Sequence, residues 1–354
     1  MTRQDRIAAL KAAARERILI LDGSWGVFIQ SRGLQEEDFR GERFATHNHP
    51  LRGDYDVLCL TQQALVTEVH DAYFAVGADI GETNTFTATA IAQADYGLES
   101  AVYDINFEAA RLARESADRW TANTPDKPRF IAGAMGPLNK TLSLSPDVND
   151  PGARGVTWDE VYNAYKEQAR ALHAGGVDLF LVETIFDTLN CKAAIKAIMD
   201  LEDEGLEPLP MWISGTVTDR SGRTLSGQTV EAFWNSIRHA RPFAVGLNCA
   251  LGADIMRPYI ADLSRVADTL VAAYPNAGLP NAMGGYDETP DQTSGMLGEW
   301  ASSGLVNILG GCCGTTPDHI RLIAEAAAGV APRQIPERPK AMRLSGLEPF
   351  ELAS

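Results

Sequence analysis

Short continuous apolar runs recur along the chain, and a segment with helical periodicity follows most of them. The runs are apolar throughout rather than alternating, which is typical of parallel strands buried on both faces. The eight candidate strands cover residues 18–23, 78–86, 129–137, 177–184, 211–217, 243–249, 270–278 and 305–311. The candidate helices between them include residues 101–121, 158–175, 188–205, 229–240 and 254–268.

Eight successive strand–helix units predict an α/β fold, a (β/α)8 TIM barrel with an insertion after the first strand. The alternative is an open doubly wound sheet. No G-x-G-x-x-G sequence follows any candidate strand, so the dinucleotide site usual in that alternative has no support. The pattern therefore favours the barrel.

Three segments lie outside the repeating pattern. The N-terminus predicts an amphipathic helix capped by Thr2. The insertion, roughly residues 30–60, is rich in Arg, Asp, Asn and His, and we expect it to form a lid or a flank. After residue 330 the pattern stops, because the tail is rich in Pro and Arg and has no helical period. The sequence thus predicts a barrel over residues 1–330 and a linker over residues 331–354.

Charge and cysteine content narrow the class of protein. The net charge of −16 over 354 residues argues against nucleic acid or an anionic membrane as a partner. No apolar run approaches the ~20 residues that span a bilayer, and the N-terminus lacks the features of a signal peptide. Five cysteines, an odd number in a long chain, do not resemble a secreted disulfide framework. These features predict a cytoplasmic protein.

Three of the five cysteines fall where a barrel places its chemistry, at the carboxyl ends of strands. Cys249 ends the sixth candidate strand, and the adjacent Cys312 and Cys313 end the eighth. Neighbouring residues of a regular strand point to opposite faces, so both sulfurs can reach one point only if the backbone leaves the strand. Glycines on both sides of the pair allow this. We therefore expect the three sulfurs to converge.

Three thiolates at one point require a cation, and Zn2+ is the one that prefers this ligand set. Three protein ligands leave a tetrahedral position open, as in a catalytic site. Asn276 could occupy that position when substrate is absent, although it could equally be a turn residue in "YPNAG". Cys59 and Cys191 are more typical of packing residues.

Zinc held by three thiolates activates water poorly and suits the binding of a fourth sulfur. It lowers the pKa of that thiol from its free value of about 8.5. The expected reaction is therefore alkyl transfer to a substrate thiol.

Nine segments together resemble the N-terminal homocysteine-binding module of cobalamin-dependent methionine synthases, within the zinc-dependent homocysteine S-methyltransferases. They are "ILILDG", "GADIGETNTF", "SPDVNDPGARGVTWDE", "ETIFDTLNCKAA", "SGRTLSGQT", "GLNCALG", "YPNAGLPN", "GGCCGTTPDHI" and "RLSGLEPF". The last of these resembles the junction that leads into a folate-binding module. The first strand continues as "DGSWGV", which departs from the family's usual Asp-Gly-Gly/Ala-Met-Gly-Thr.

The resemblance implies a (β/α)8 barrel with zinc on Cys249, Cys312 and Cys313. It also implies that homocysteine takes the methyl group of methylcobalamin, originally from 5-methyltetrahydrofolate, and becomes methionine. The cobalamin- and folate-binding modules would then lie on another chain or on a longer form of this one. Two alternatives stay open: a homocysteine methyltransferase that uses S-methylmethionine, S-adenosylmethionine or betaine without cobalamin, and a non-catalytic scaffold with a structural metal.

An amino-acid substrate needs a carboxylate for its ammonium and donors for its carboxylate. Asp22 ends the first candidate strand and Glu183 the fourth, and the resemblance also places acidic residues there against the substrate amine. The alternative for Asp22 is that it caps a turn. Glu82 of the second strand either lines the same pocket or forms a structural ion pair.

The loop after the first strand is the candidate for the substrate carboxylate. Gly23, Ser24 and Gly26 could each offer a backbone N–H group to it. The Ser-, Thr- and Gly-rich loop 216–229, after the fifth strand, could border the surface on which cobalamin approaches.

Overall fold

A computed structural model of the chain, described here for residues 1–352, contains the predicted barrel. Eight parallel strands lie in the order β1-β8-β7-β6-β5-β4-β3-β2, and a bridge between Leu21 and Ile80 joins the two end strands. The strands are β1 Leu19–Ile20, β2 Ile80–Glu82, β3 Phe130–Met135, β4 Leu179–Ile185, β5 Met211–Gly215, β6 Ala244–Gly252, β7 Leu270–Asn276 and β8 Ile308–Leu309. Each lies within or close to a predicted apolar run, so the expected fold class is confirmed.

Thirteen α-helices surround and extend this barrel in the described part of the chain. They are α1 Arg3–Glu16, α2 Trp25–Gln30, α3 Glu36–Arg40, α4 Leu58–Thr61, α5 Gln63–Ala75, α6 Ala90–Gln93, α7 Val102–Asn123, α8 Trp158–Gly175, α9 Thr188–Asp203, α10 Val230–Ile237, α11 Ala253–Val266, α12 Pro290–Ser302 and α13 Pro317–Ala327. The five helices that the sequence predicted between strands are present. None of the helices within residues 1–352 combines the length and the apolarity that a membrane crossing needs.

Helix α1 covers the amino-terminal end of the barrel. Thr2 caps it as predicted, through a capping box with Asp5. Leu10 and Ala14 of α1 are buried in the cluster that fills the barrel interior, together with residues near the strand starts such as Phe130. Since this end is closed, the open end is at the carboxyl ends of the strands, where the candidate site residues lie.

The insertion after β1 packs on the outside of the barrel. Phe39, Leu51 and Leu58 form a separate buried cluster with Ile105 and Ala109 of α7. This cluster is the predicted flank.

The tail after residue 330 contains structure that the sequence did not predict. Strands β9 Met342–Ser345 and β10 Pro349–Leu352 form an antiparallel hairpin. The hairpin is attached to the start of α10, because the Leu347 carbonyl accepts a hydrogen bond from Thr229 N at 3.0 Å. Upstream of it, the buried Arg333 donates to the carbonyls of Ser264, Ala267 and Thr269.

Candidate metal and substrate site

Two of the barrel strands are irregular at the positions that matter for chemistry. The pairing register shifts in β4 between Val182 and Ile185, and in β6 between Asn248 and Gly252. Within these bulges Thr184 and Cys249 have φ values of 53° and 57°. Left-handed backbone is rare for residues other than glycine and is costly for a β-branched one. Such bulges turn side chains out of the strand alternation, here next to Glu183 and at Cys249.

The three predicted sulfurs meet at one point. The Sγ atoms of Cys249, Cys312 and Cys313 all lie within 4.8 Å of one another. Cys313 Sγ is 3.9 Å from Cys249 Sγ and 4.0 Å from Cys312 Sγ. Tetrahedral zinc with Zn–S bonds of about 2.3 Å holds its sulfurs about 3.8 Å apart. The spacing therefore fits a zinc ion.

Close backbone packing turns the cysteine pair toward Cys249. Gly314 has a φ of 84°, and a Cβ placed on it would lie 2.4 Å from the Cβ of Tyr286. The pair is also bonded to the end of β7, since Cys312 N donates to the Pro275 carbonyl and Ala277 N donates to the Cys313 carbonyl, both at 2.9 Å. The glycines are thus required by sterics, as the sequence suggested.

The sulfurs share charge unequally. Hydrogen bonds from Cys249 and Cys312 lower the pKa of Cys313 to about 3. The hydrogen bonds with Cys249 and Cys313 raise the pKa of Cys312 well above its usual value. The bare cluster therefore favours a thiolate at Cys313 with a protonated Cys312. A cation is needed to ionise all three, and soft thiolate donors select zinc among the common metals.

The other two cysteines are core residues, as predicted. Cys59 in α4 and Cys191 in α9 are both fully buried. Burial raises the pKa of both thiols, so neither is a reactive thiolate.

A cavity of about 440 Å3 opens at the carboxyl ends of the strands and contains the cysteine cluster at one side. Glu82, Glu183 and Tyr274 line it beside the sulfurs. Farther out, aromatic and polar side chains of the insertion and of the loops after β1 and β2 line it; they include Trp25, Tyr55, Asp56, Asn84, Phe86 and Tyr96.

The structure separates the three predicted carboxylates into two that line the cavity and one behind them. Glu183 and Glu82 line the cavity, whereas Asp22 is buried and is not part of its lining. Asp22 Oδ2 accepts a hydrogen bond from Glu82 N at 2.9 Å, which joins β1 to β2, and its Oδ1 has no partner. Glu82 Oε1 is also buried without a partner, so the expected alternative of a structural ion pair is not present within residues 1–352.

Burial governs the charge of these carboxylates. It raises the pKa of Glu183 to about 8, and it raises the pKa values of Asp22 and Glu82 well above their usual range. Repulsion from Glu183 adds to the shift in both Asp22 and Glu82. An ammonium ion in the cavity would relieve this penalty.

The loop after β1 lies at the cavity as expected. Gly23, Ser24 and Gly26 all line it. Ser24 N, however, donates to Thr315 Oγ1 at 3.2 Å, so this N–H group is already engaged. The expectation of free backbone donors therefore rests on Gly23 and Gly26.

Asn276 ends β7 next to the cysteine pair. Its side chain is buried, and its Oδ1 has no hydrogen-bond partner. A metal ligand without its metal would have such an unpartnered oxygen. Coordination of zinc by Asn276 as the fourth ligand stays a prediction.

Sequence reasoning missed three residues of the site. Tyr274 is buried in β7 with a hydroxyl that lacks a partner and lines the cavity. The alternation of β7 could have found it, since Tyr274 and Ala272 point into the barrel. Tyr286 packs against Gly314 beside the sulfurs, and its hydroxyl helps to lower the pKa of Cys313. Asn248 lies fully buried between the two bulges. No motif indicated the last two.

Comparison with known proteins gives a family and a shared fold. The sequence model of a family described as homocysteine S-methyltransferase matches residues 19–327. Among solved structures, the metallated form of the homocysteine methyltransferase MmuM from Escherichia coli has 21% identity and a TM-score of 0.70, over 90% of this chain and 98% of that one. Its oxidized form has 21% identity and a TM-score of 0.69, over 87% and 95%. The apo form has 19% identity and a TM-score of 0.66, over 88% and 97%. At these identities the likeness shows the fold.

Proposed function

The chain belongs to the homocysteine S-methyltransferase family, and from that membership we propose that it activates homocysteine on zinc and methylates it from methylcobalamin, forming methionine. One observation carries this proposal. Three convergent sulfurs and the carboxyl groups of Glu82 and Glu183, which have no ion-pair partner among residues 1–352, open into the same cavity. A thiol and an ammonium on one small molecule would meet their natural partners there.

The zinc site would be formed by Cys249, Cys312 and Cys313, with Asn276 in the fourth position before substrate arrives. When bound, zinc would lower the pKa of the homocysteine thiol while the three anionic ligands keep the sulfur nucleophilic. The bulge at Cys249 and the glycine-flanked turn at the pair hold the ligands in place.

The amino-acid end of homocysteine would bind at the carboxylates. Glu183 and Glu82 face the cavity and would receive the ammonium, and Asp22 behind them holds the Glu82 backbone N–H. The N–H groups of Gly23 and Gly26 and the unpartnered Tyr274 hydroxyl would donate to the substrate carboxylate.

The transfer itself conserves atoms and charge. The homocysteine thiol loses its proton to solvent on binding, and its sulfur forms a bond to the methyl carbon. The bond between that carbon and the donor breaks, and its electron pair stays on the donor. The residues of this chain bind, orient and shield the sulfur.

Methylcobalamin as donor is supported by the segments "ETIFDTLN", "SPDVNDPG" and "LSGLEPF". We propose accordingly that residues 331–354 lead toward a folate-binding module, and that this module and a cobalamin-binding one act with the barrel, on another chain or a longer form of this one.

A second donor class is supported by the outer part of the cavity. Rings of Trp25, Tyr55, Phe86 and Tyr96 lie there with the buried carboxyl group of Asp56. Aromatic faces attract organic cations. A sulfonium or quaternary ammonium donor, such as S-methylmethionine, S-adenosylmethionine or betaine, would suit that part.

A donor screen tests the proposal. Zinc-loaded protein is mixed with homocysteine and with methylcobalamin, S-methylmethionine, S-adenosylmethionine or betaine, and methionine is measured. We expect homocysteine-dependent loss of the methyl group from methylcobalamin. Methionine from a cationic donor alone would replace the first proposal with the second. A zinc-loaded protein that forms methionine from no donor would contradict both.

A further inference from the structure

The Asn248 side chain forms hydrogen bonds to two other strands, β4 and β5. It is fully buried in β6, directly before the sulfur ligand Cys249. Its Nδ2 donates to Thr184 Oγ1 at 2.7 Å, and its Oδ1 accepts from Thr184 N at 3.1 Å. Ser214 Oγ donates to the same Oδ1 at 2.7 Å. Asn248 therefore joins the bulge of β6 to the bulge of β4 across the intervening β5.

Thr184 needs this support. It is a β-branched residue with a φ of 53°, a conformation that persists only where neighbouring groups hold it. The two hydrogen bonds with Asn248 hold both the backbone N–H and the hydroxyl of Thr184. The hydroxyl accepts from Asn248 and donates its own proton to Glu183 Oε2, which lies 3.4 Å from Thr184 Oγ1.

The hydrogen bonds form a continuous path from the metal ligand strand to a carboxylate of the cavity. Asn248 donates to Thr184, and Thr184 donates to Glu183. Of the hydrogen bonds described within residues 1–352, this is the one that the Glu183 carboxylate accepts from a side chain. The orientation of the Glu183 carboxylate thus depends on the Thr184 hydroxyl, and Asn248 holds that hydroxyl in place.

We propose that Asn248 and Thr184 are positioning residues that orient Glu183 toward the ammonium group of homocysteine, an inference that rests on the proposed function. The arrangement makes recognition of the amino group depend on the strand that also holds Cys249. Neither residue touches the reacting sulfur or the methyl carbon.

Thr184→Val tests this link with little change of shape, because valine keeps the β-branch and loses the hydroxyl. Binding of homocysteine to the zinc-loaded protein is measured by calorimetry without any methyl donor. The second probe is 4-mercaptobutyrate, which has the thiol and the carboxylate of homocysteine and lacks the ammonium. Thr184→Ser restores the hydroxyl. Ser214→Ala is the matched control, because it removes the other bond to Asn248 Oδ1.

We expect Thr184→Val to weaken homocysteine binding about tenfold, the usual effect of losing a hydrogen bond to a charged group. Binding of 4-mercaptobutyrate and of zinc should stay within about twofold of the wild type. Thr184→Ser and Ser214→Ala should bind both probes as the wild type does. In a working donor assay, KM for homocysteine should rise more than kcat falls.

Three results would overturn the inference: unchanged homocysteine binding in Thr184→Val, an equal loss for both probes, or a Thr184→Ser variant as weak as Thr184→Val. If Thr184→Val fails to fold, Thr184→Ala, which also lacks the hydroxyl, takes its place with the same expectations. A wild-type protein that binds zinc and shows no preference for homocysteine over 4-mercaptobutyrate would instead contradict the proposed ammonium site.

Discussion

The sulfurs of Cys249, Cys312 and Cys313 lie too close to be ionised together without a cation, and this sets the chemistry of the site at the scale of single residues. Their convergence was predictable, because cysteines at the carboxyl ends of two barrel strands must face one opening. The contact between Asn248 and Thr184 was not predictable, because it depends on bulges that a residue pattern does not reveal.

Cys249→Ala should abolish zinc binding and leave the barrel folded. Wild type should bind about one zinc per chain and melt at a higher temperature with zinc than without it, since a ligand bound only by the native state stabilises it. The variant should lose both effects, and homocysteine methylation should fall more than about a hundredfold. Metal analysis and melting curves measure this.

Cys191→Ala is the control for that experiment, because it removes a buried cysteine that is not part of the cluster and should keep the zinc. A Cys249→Ala variant that is unfolded at room temperature would support a structural metal scaffold instead.

Asp54 and Asp56 make stability depend on pH. Burial raises the pKa of Asp54 to about 6 and, with repulsion from Asp54, that of Asp56 to about 8. For carboxyl groups with a raised pKa in the folded state, stability is present at low pH and is lost as pH rises, here from about pH 4 through pH 8. Asp54→Asn keeps an oxygen for Gln93 and removes the repulsion, so we expect it to unfold at higher urea than wild type at pH 8.

The free energy of unfolding of Asp54→Asn should exceed that of the wild type by on the order of 1–2 kcal/mol at pH 8, and the difference should vanish near pH 4. Urea unfolding across this range measures it. Asp126→Asn, at an exposed position, serves as the control. If the free energy of unfolding changed with pH equally in wild type and in Asp54→Asn, Asp54 and Asp56 would not be the cause of the pH dependence.

At the scale of elements, the continuous apolar runs predicted the strands, because a parallel strand covered on both faces has little choice of residue type. The local breaks in β4 and β6 were not predictable, since one extra residue in β4 and two in β6 leave the apolar pattern intact while they redirect the side chains. The glycine-flanked cysteine pair lies between these cases. Its glycines predicted a turn, but the contacts that require glycine, such as that of Gly314 with Tyr286, are visible only in the structure.

Gly314→Ala should weaken zinc binding and leave the barrel folded. A Cβ there would meet the Tyr286 side chain at 2.4 Å in a backbone conformation that alanine disfavours. We expect zinc affinity to fall about tenfold or more, because Cys313 must shift. Competition with a chelator measures the affinity, and circular dichroism checks the fold.

Gly295→Ala is the matched control in the neighbouring helix α12. No atom lies within 4 Å of a Cβ built at that position. Alanine should therefore stabilise the helix by up to about 1 kcal/mol and leave zinc affinity unchanged. Equal zinc affinity in both variants would mean that the turn tolerates a side chain.

At the scale of the whole molecule, the tail hairpin has its polar face toward the barrel and its apolar face outward. Arg343, paired with Glu351, and Ser345, bonded to Ala232 of α10, form the inner face. The outer face is built from two cross-strand pairs whose four residues are each more than half exposed: Leu344 with Phe350 and Met342 with Leu352. The sequence did not predict this arrangement, because a short alternating run does not indicate which face of the hairpin packs against the barrel.

Removal of residues 342–354 should leave the barrel and its metal site intact, because no hairpin residue belongs to the buried core clusters. Thr229 N would lose the Leu347 carbonyl, and Arg223 would lose Glu348, so loop 216–229 should loosen. We expect faster amide exchange in that loop, weaker binding of a hydrophobic dye, and a melting temperature lowered by no more than about 2–4 °C.

Truncation before residue 331 is the contrasting variant, since it also removes the buried Arg333 and its bonds to three carbonyls, and it should destabilise the protein far more. Equal melting temperatures for the two truncated proteins would show that Arg333 does not anchor the segment, and unchanged exchange in the loop would show that the hairpin does not hold it.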